Sequence, residues 1–156
     1  MTPAINEAKK QKIQFTLHKY DHDPSHDSYG REAVEKLGIP KEQVFKTLVA
    51  EIDGGKLAVG IIPVMSMLSM KQFAKATGTK KAKMADKSQA ERSTGYVLGG
   101  VSPLGQKKKL TTVIDVSAKQ YDTIYVSAGR RGLDIELSPD DLAKLTRGSF
   151  FDICQE

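Results

Sequence analysis

The chain is poor in the residues that most often announce a chemistry. Among its 156 residues there is one cysteine, Cys154, and no tryptophan. A single cysteine excludes an internal disulfide and fits a reducing compartment. No basic neighbour lowers its pKa, so it is not read as a nucleophile. Histidine stops at His26, so a Ser-His-Asp triad has only His18, His22 and His26 from which to draw a base. The longest apolar run, Leu57 to Met65, is broken by Gly60 and Pro63, too short to span a bilayer. The opening M-T-P-A-I-N-E-A-K-K lacks the apolar stretch of a secretory signal. These absences lead us to expect a cytoplasmic protein with no membrane partner.

What is present reads as an ordinary globular chain. It is 39% hydrophobic and 28% charged, long enough for one domain over residues 1–156 with a proper core. The net charge of +5 is spread unevenly. Residues 67–110 carry ten lysines and arginines against Asp86 and Glu91, whereas residues 132–156 carry six acids and two bases. Such asymmetry has the form of a nucleic-acid footprint, although a solvated lysine-rich surface gives the same pattern.

The stretch V-F-K-T-L-V-A-E-I, Val44 to Ile52, organises the rest. As a strand it puts Val44, Lys46, Leu48, Ala50 and Ile52 on one face and Phe45, Thr47, Val49 and Glu51 on the other. Its only lysine thus shares the more apolar face. Such an ammonium must reach water at a rim, find an anion, or point into a polar cavity.

Around that strand, Thr2-Pro3 opens a helix to about Lys12, and alternation from Ile13 to Tyr20 marks a strand. Ser28 caps a helix that Gly38 ends, and Asp53-Gly54-Gly55 turns the central strand into Lys56 to Ile62. A helix opens near Ser69 and stops at Gly78, followed by a short segment, Lys80 to Ala85. D-K-S-Q forms a capping box for a helix ending at Gly95. Leu110 to Val116 and Thr123 to Ser127 read as strands. If Gly129 to Gly132 make the next turn, Ala128 pairs with Leu133 and Ser127 lies opposite Asp134. Ser138-Pro139 starts a last helix, and Ser149 to Ile153 a last strand. The expected class is α+β, a curled, mostly antiparallel mixed sheet tending toward a barrel and flanked by short helices.

Two clusters invite chemistry. His18, His22 and His26 stand four apart among Asp21, Asp23 and Asp27, a composition suited to metal. Pro24 argues against the helix that this spacing needs, so a polar loop is the commoner reading and no metal is expected. The loop Gly99-Gly100-Val101-Ser102-Pro103-Leu104-Gly105 is followed by Lys107, Lys108 and Lys109. Its glycines allow close backbone approach to a ligand and can aim N–H groups at an oxygen. It is neither a Walker loop nor a GxGxxG fingerprint.

Lys46 in F-K-T-L-V, the GxxxP loop at Gly99 to Pro103, and S-A-G-R-R-G-L-D-I together resemble the YbaK family. These are freestanding relatives of the editing domain inserted in bacterial prolyl-tRNA synthetases. The resemblance implies hydrolysis of the ester in mischarged Cys-tRNA(Pro), without a cofactor. The sequence shows no recognisable anticodon-binding module, so weak discrimination among tRNAs is expected, with Cys-tRNA(Cys) cleaved as well. The resemblance also implies the 3′ CCA end of an aminoacylated tRNA as ligand, not DNA, and prolyl-tRNA synthetase as partner. Lys46 and Gly99 are then the catalytic candidates. Tyr20, Tyr29, Thr47, Gly100, Ser102, Pro103, Ser127 and Asp134 are expected to bind substrate. Lys80, Lys81, Lys83, Lys107, Lys108 and Lys109 are expected to contact tRNA. The alternatives are a deacylase of another mischarged tRNA, such as Ala-tRNA(Pro), and a non-catalytic tRNA-binding adaptor of the synthetase.

Overall fold

A computed structural model describes residues 1–26 and 28–156. The strand organising the sequence becomes β2 (Phe45–Ile52), antiparallel to β3 (Lys56–Pro63). Beyond β3 lie β5 (Thr111–Asp115) and β8 (Ser149–Phe151), both added in parallel, and β4 (Ala82–Met84) pairs along the other edge of β2. A second sheet has the order β1 (Phe15–Lys19), β7 (Leu133–Leu137), β6 (Ile124–Arg130), all antiparallel. The helices are α1 (Pro3–Lys10), α2 (Tyr29–Leu37), α3 (Met70–Thr77), α4 (Lys87–Thr94) and α5 (Pro139–Thr146). This is the expected α+β class, but the sheets do not close into a barrel. Immediately before β2, Val44 makes an isolated parallel bridge to Tyr125 of β6.

Strand alternation explains the layering. Val59 and Ile61 of β3 face Val126, Ile135 and Leu137 of the smaller sheet, with Ala4, Ile5 and Ala8 of α1 sealing the same core. The opposite face of the larger sheet, through Ala50, Ala58 and Ile62, packs on Phe73 of α3. On the smaller sheet the positions between the core residues are polar: Ser127, Asp134 and Glu136 turn away from that core. A third cluster, Ala33, Val44, Val64 and Tyr125, fastens α2 over the place where the sheets meet.

The local signals act as their chemistry requires. Thr2, Ser28, Ser69, Asp86 and Ser138 each accept a backbone N–H at a helix start, and Asp86 with Gln89 completes the capping box. Gly38, Gly78 and Gly95 close three helices with left-handed backbone. One register expectation fails. Arg130, not Ala128, faces Leu133, because a bulge after Ser127 takes up Ala128 and Gly129; Ser127 still opposes Asp134. Among the described residues, no helix is long and apolar enough to cross a membrane.

At Gly30, α2 lies so close to the end of β3 that an added Cβ would stand 2.4 Å from Val64 Cγ1 and 2.9 Å from its Cβ. Val64 is a buried, branched side chain that cannot swing clear. We expect Gly30→Ala to push α2 outward and lower stability by roughly 1–3 kcal/mol, measurable as a reduced urea midpoint.

Candidate active site

Because one bridge joins β2 to β6, the sheets diverge beyond it and leave a cleft of about 320 Å³. The start of β2 forms one wall, from Val44 to Leu48; Tyr20, Ser127 and Asp134 form another. The N-terminal part of α2 and the loop at Leu98 and Gly99 complete it.

Asp134 is the least solvated charge in this space, 6% exposed. With no partner for its carboxylate among the described residues, burial pushes its pKa up to about 7. Directly across the strands stands Ser127, whose Oγ accepts the Gly129 N–H at 3.1 Å. Tyr20 has its pKa pushed up to about 12, by burial first and then by Asp134, so it stays a neutral phenol. Lys46 is half-buried at the start of β2. Burial depresses its pKa; nearby Cys154 acts against this, and the Arg31 guanidinium adds to it. Thr47 Oγ1 is buried in the wall with no hydrogen-bond partner among the described residues. Such an orphaned oxygen marks a place where a ligand can supply the missing bond.

The glycine-rich loop is held from behind. Gly100 has no room for a side chain: a Cβ there would sit 2.8 Å from Arg130 Cα. Arg131 Nη2 donates to Leu98 O at 3.1 Å, tying the loop to the β6–β7 turn. The Gly100 N–H donates to Val97 O at 2.9 Å, so it is not available to an oxyanion. Gly99 adopts φ +91°, a conformation for which glycine is suited, and lines the cleft.

Of the residues expected from sequence to serve the site, Tyr20, Lys46, Thr47, Gly99, Ser127 and Asp134 line this one cleft. Gly100 and Ser102 are buried behind it, Ser102 Oγ accepting the Leu104 N–H. Pro103 lines a separate small cleft together with Lys108, Lys109 and Arg147. The side chain of Tyr29 lies outside the described residues, as does Asp27. Lys80, Lys81 and Lys83 lie at β4 on the sheet edge, Lys83 paired with Glu51 at 3.3 Å. Lys107 is exposed, like its two neighbours.

Sequence reasoning missed Arg130 and the apolar wall of Ala33, Phe45 and Val64. The apolar residues look like core in any linear pattern. Arg130 stood within the quoted turn motif, but only the bulge reveals which arginine borders the cleft.

No His-based nucleophile assembles. His18 pairs with Glu136 at 2.9 Å, His22 with Glu32 at 2.7 Å and His26 with Glu35 at 3.0 Å; none of the three lines the cleft. Among the described residues no group of three or more potential metal ligands forms. Cys154 has its thiol pKa pushed up to about 12, by burial first and then by Asp115.

Residues 23–145 match the family description of the aminoacyl-tRNA editing domain. The chain belongs to the aminoacyl-tRNA editing domain family. It is 40% identical over 153 residues, 97% of this chain and 92% of the relative, to EbsC of Enterococcus faecalis (strain ATCC 700802 / V583), provisionally named a Cys-tRNA(Pro)/Cys-tRNA(Cys) deacylase. It is 25% identical over 126 residues, 80% of each chain, to the uncharacterised YwhH of Bacillus subtilis (strain 168). The fold of this editing domain is shared with a solved structure provisionally described as a trans-editing enzyme for prolyl tRNA synthetase. That likeness has a TM-score of 0.82 at 18% identity and covers 100% of this chain and 99% of the other. The hypothetical protein APE2540 superimposes with a TM-score of 0.86 at 21% identity, covering 98% and 99%.

The unpaired carboxyl of this editing domain carries a stability signature of known sign. The folded pKa, about 7, lies above the ordinary value of 3.8. The folded state therefore holds a proton that the unfolded state has released, and stability is lost as pH rises from about 4 to 7. Asp134→Asn removes the ionisation at almost constant shape. We expect it to raise stability at pH 8 by up to about 4 kcal/mol, seen as a higher Tm, and to leave it unchanged near pH 4. Thermal unfolding of both proteins across that range checks the sign.

Proposed function

We propose that this editing domain acts in trans as a deacylase of cysteinyl-tRNA, with Cys-tRNA(Pro) as the error it removes and Cys-tRNA(Cys) also accepted. One observation carries the reading: a half-buried cation, Lys46, and the orphaned Thr47 Oγ1 share a cleft with the buried, unpartnered Asp134. An aminoacyl ester has the complementary order of groups, an α-ammonium next to a polarised carbonyl and then a nucleotide. Asp134 takes the ammonium by charge, with Ser127 beside it as a hydrogen-bonding partner. Lys46 supplies positive charge at the ester, and Gly99 lets the backbone approach it closely. Phe45, Ala33 and Val64 give the cleft an apolar side, which takes the amino-acid side chain.

Among the described residues this cleft holds no activated nucleophile, which supports the substrate's own thiol as the attacking group. The thiolate sulfur forms a bond to the ester carbonyl carbon, and the bond from that carbon to the ribose oxygen breaks. The proton released by the thiol goes to the ribose oxygen, freeing the tRNA hydroxyl and leaving a cyclic thioester that water opens. The protein's share is positioning and electrostatics. Selection of this kind is needed because a synthetase pocket shaped for proline rejects a side chain of similar bulk weakly. Lys80, Lys81, Lys83, Lys107, Lys108 and Lys109 contact the tRNA backbone without reading sequence. Selectivity among tRNAs then comes from prolyl-tRNA synthetase as partner, in the cytoplasm.

The test presents Cys-tRNA(Pro), Ser-tRNA(Pro) and Ala-tRNA(Pro) separately and follows loss of the ester. Rapid loss of the cysteinyl ester alone is expected, because serine differs by one atom and lacks the thiol. Equal loss of all three would remove the thiol mechanism, and binding without cleavage would favour an adaptor. Lys46→Ala is expected to lower kcat/KM by at least about 100-fold while its unfolding curve stays near wild type, since electrostatic stabilisation of this kind commonly has that magnitude. Full activity in a folded Lys46→Ala protein would refute the role.

A further inference from the structure

We propose that Arg130 holds the 5′-phosphate of the substrate's terminal nucleotide, and that this contact fixes how deeply the ester enters the cleft. The inference rests on the deacylase reading and adds a residue to it. Arg130 lines the cleft and is exposed, with no acidic partner among the described residues. Its neighbour Arg131 has a different task, donating to Leu98 O at 3.1 Å. The two arginines are separated in role by the bulge, which inserts Ala128 and Gly129, with Gly129 at φ +110°, and shifts Arg130 opposite Leu133.

The position of Arg130 is also fixed relative to the ester site. Gly100 packs against its main chain, where a Cβ would lie 2.8 Å from Arg130 Cα. The adjoining Gly99 lines the same cleft. Exposure orders the charges from inside to outside: Asp134 is buried, Lys46 half-buried, and Arg130 open to solvent. An aminoacyl nucleotide presents its own groups in the matching order, ammonium, ester and then phosphate. A guanidinium suits the last of these, because its fork of N–H donors grips two phosphate oxygens at once, which an ammonium cannot do.

The experiment compares two small substrates, cysteinyl-adenosine and its 5′-monophosphate, through the ratio of their kcat/KM values. Wild type is expected to favour the phosphorylated ester by about tenfold, the scale of one charge-assisted hydrogen-bonded contact. Arg130→Gln is expected to bring the ratio close to one, and Arg130→Lys to an intermediate value. A ratio in Arg130→Gln equal to that of wild type would overturn the proposal, even if both rates fell together, since that is the signature of a merely structural role. Absence of any preference for the phosphorylated ester in a wild-type protein that cleaves Cys-tRNA(Pro) would also overturn it, whereas absence of cleavage of Cys-tRNA(Pro) itself would overturn the deacylase reading, and this inference with it.

Discussion

The molecule depends on how little joins its two sheets. They share one apolar core across their facing surfaces, yet between β2 and β6 the backbone connection is the bridge from Val44 to Tyr125. Beyond that point the strands part. A closed barrel would have filled the space before Thr47 Oγ1 and Asp134 with side chains. The divergence keeps both groups at the wall of a cleft. Helix α2 and the Gly99 loop then close its sides, each through a glycine that admits another segment at short range: Gly30 against Val64, and Gly100 against Arg130.

Two buried carboxylates show what this arrangement separates. Glu32 has no exposure and is pushed up by burial, but hydrogen bonds from His22 and the Asp23 N–H outweigh this and hold its pKa below the ordinary value. It works within the fold, fastening the segment at 22–23 to α2. Asp134 is nearly as buried and lacks such partners, so its pKa moves the opposite way. Burying an unpaired carboxylate opposes folding, and a fold retains it where another molecule supplies the counter-charge. The contrast supports the proposed role of Asp134 without any appeal to its position in a motif.

Much of this was legible in the residues because the relevant rules are local. Caps at Thr2, Ser28, Ser69, Asp86 and Ser138 announce helices through one hydrogen bond each, and strand alternation puts Lys46 on an apolar face. The opposition of Ser127 and Asp134 followed from a short turn between two strands. The register beyond it did not, because a bulge depends on how Gly129 packs against Tyr96 and Thr2, contacts distant in sequence. The pairing of His18 with Glu136 was hidden for the same reason. So was the separation of Ser102 and Pro103 from the cleft: a loop motif names residues together, whereas packing assigns them to different sides.

The state of Cys154 has a consequence for redox chemistry. Lys46 and Cys154 are close enough to influence each other electrostatically, and an ammonium near a sulfhydryl would ordinarily promote a reactive thiolate. Here burial and Asp115 keep the group protonated. Disulfide exchange proceeds through the thiolate, so Cys154 is no ready sulfur with which to form a mixed disulfide. The fold thereby protects this sulfur from covalent capture by other thiols.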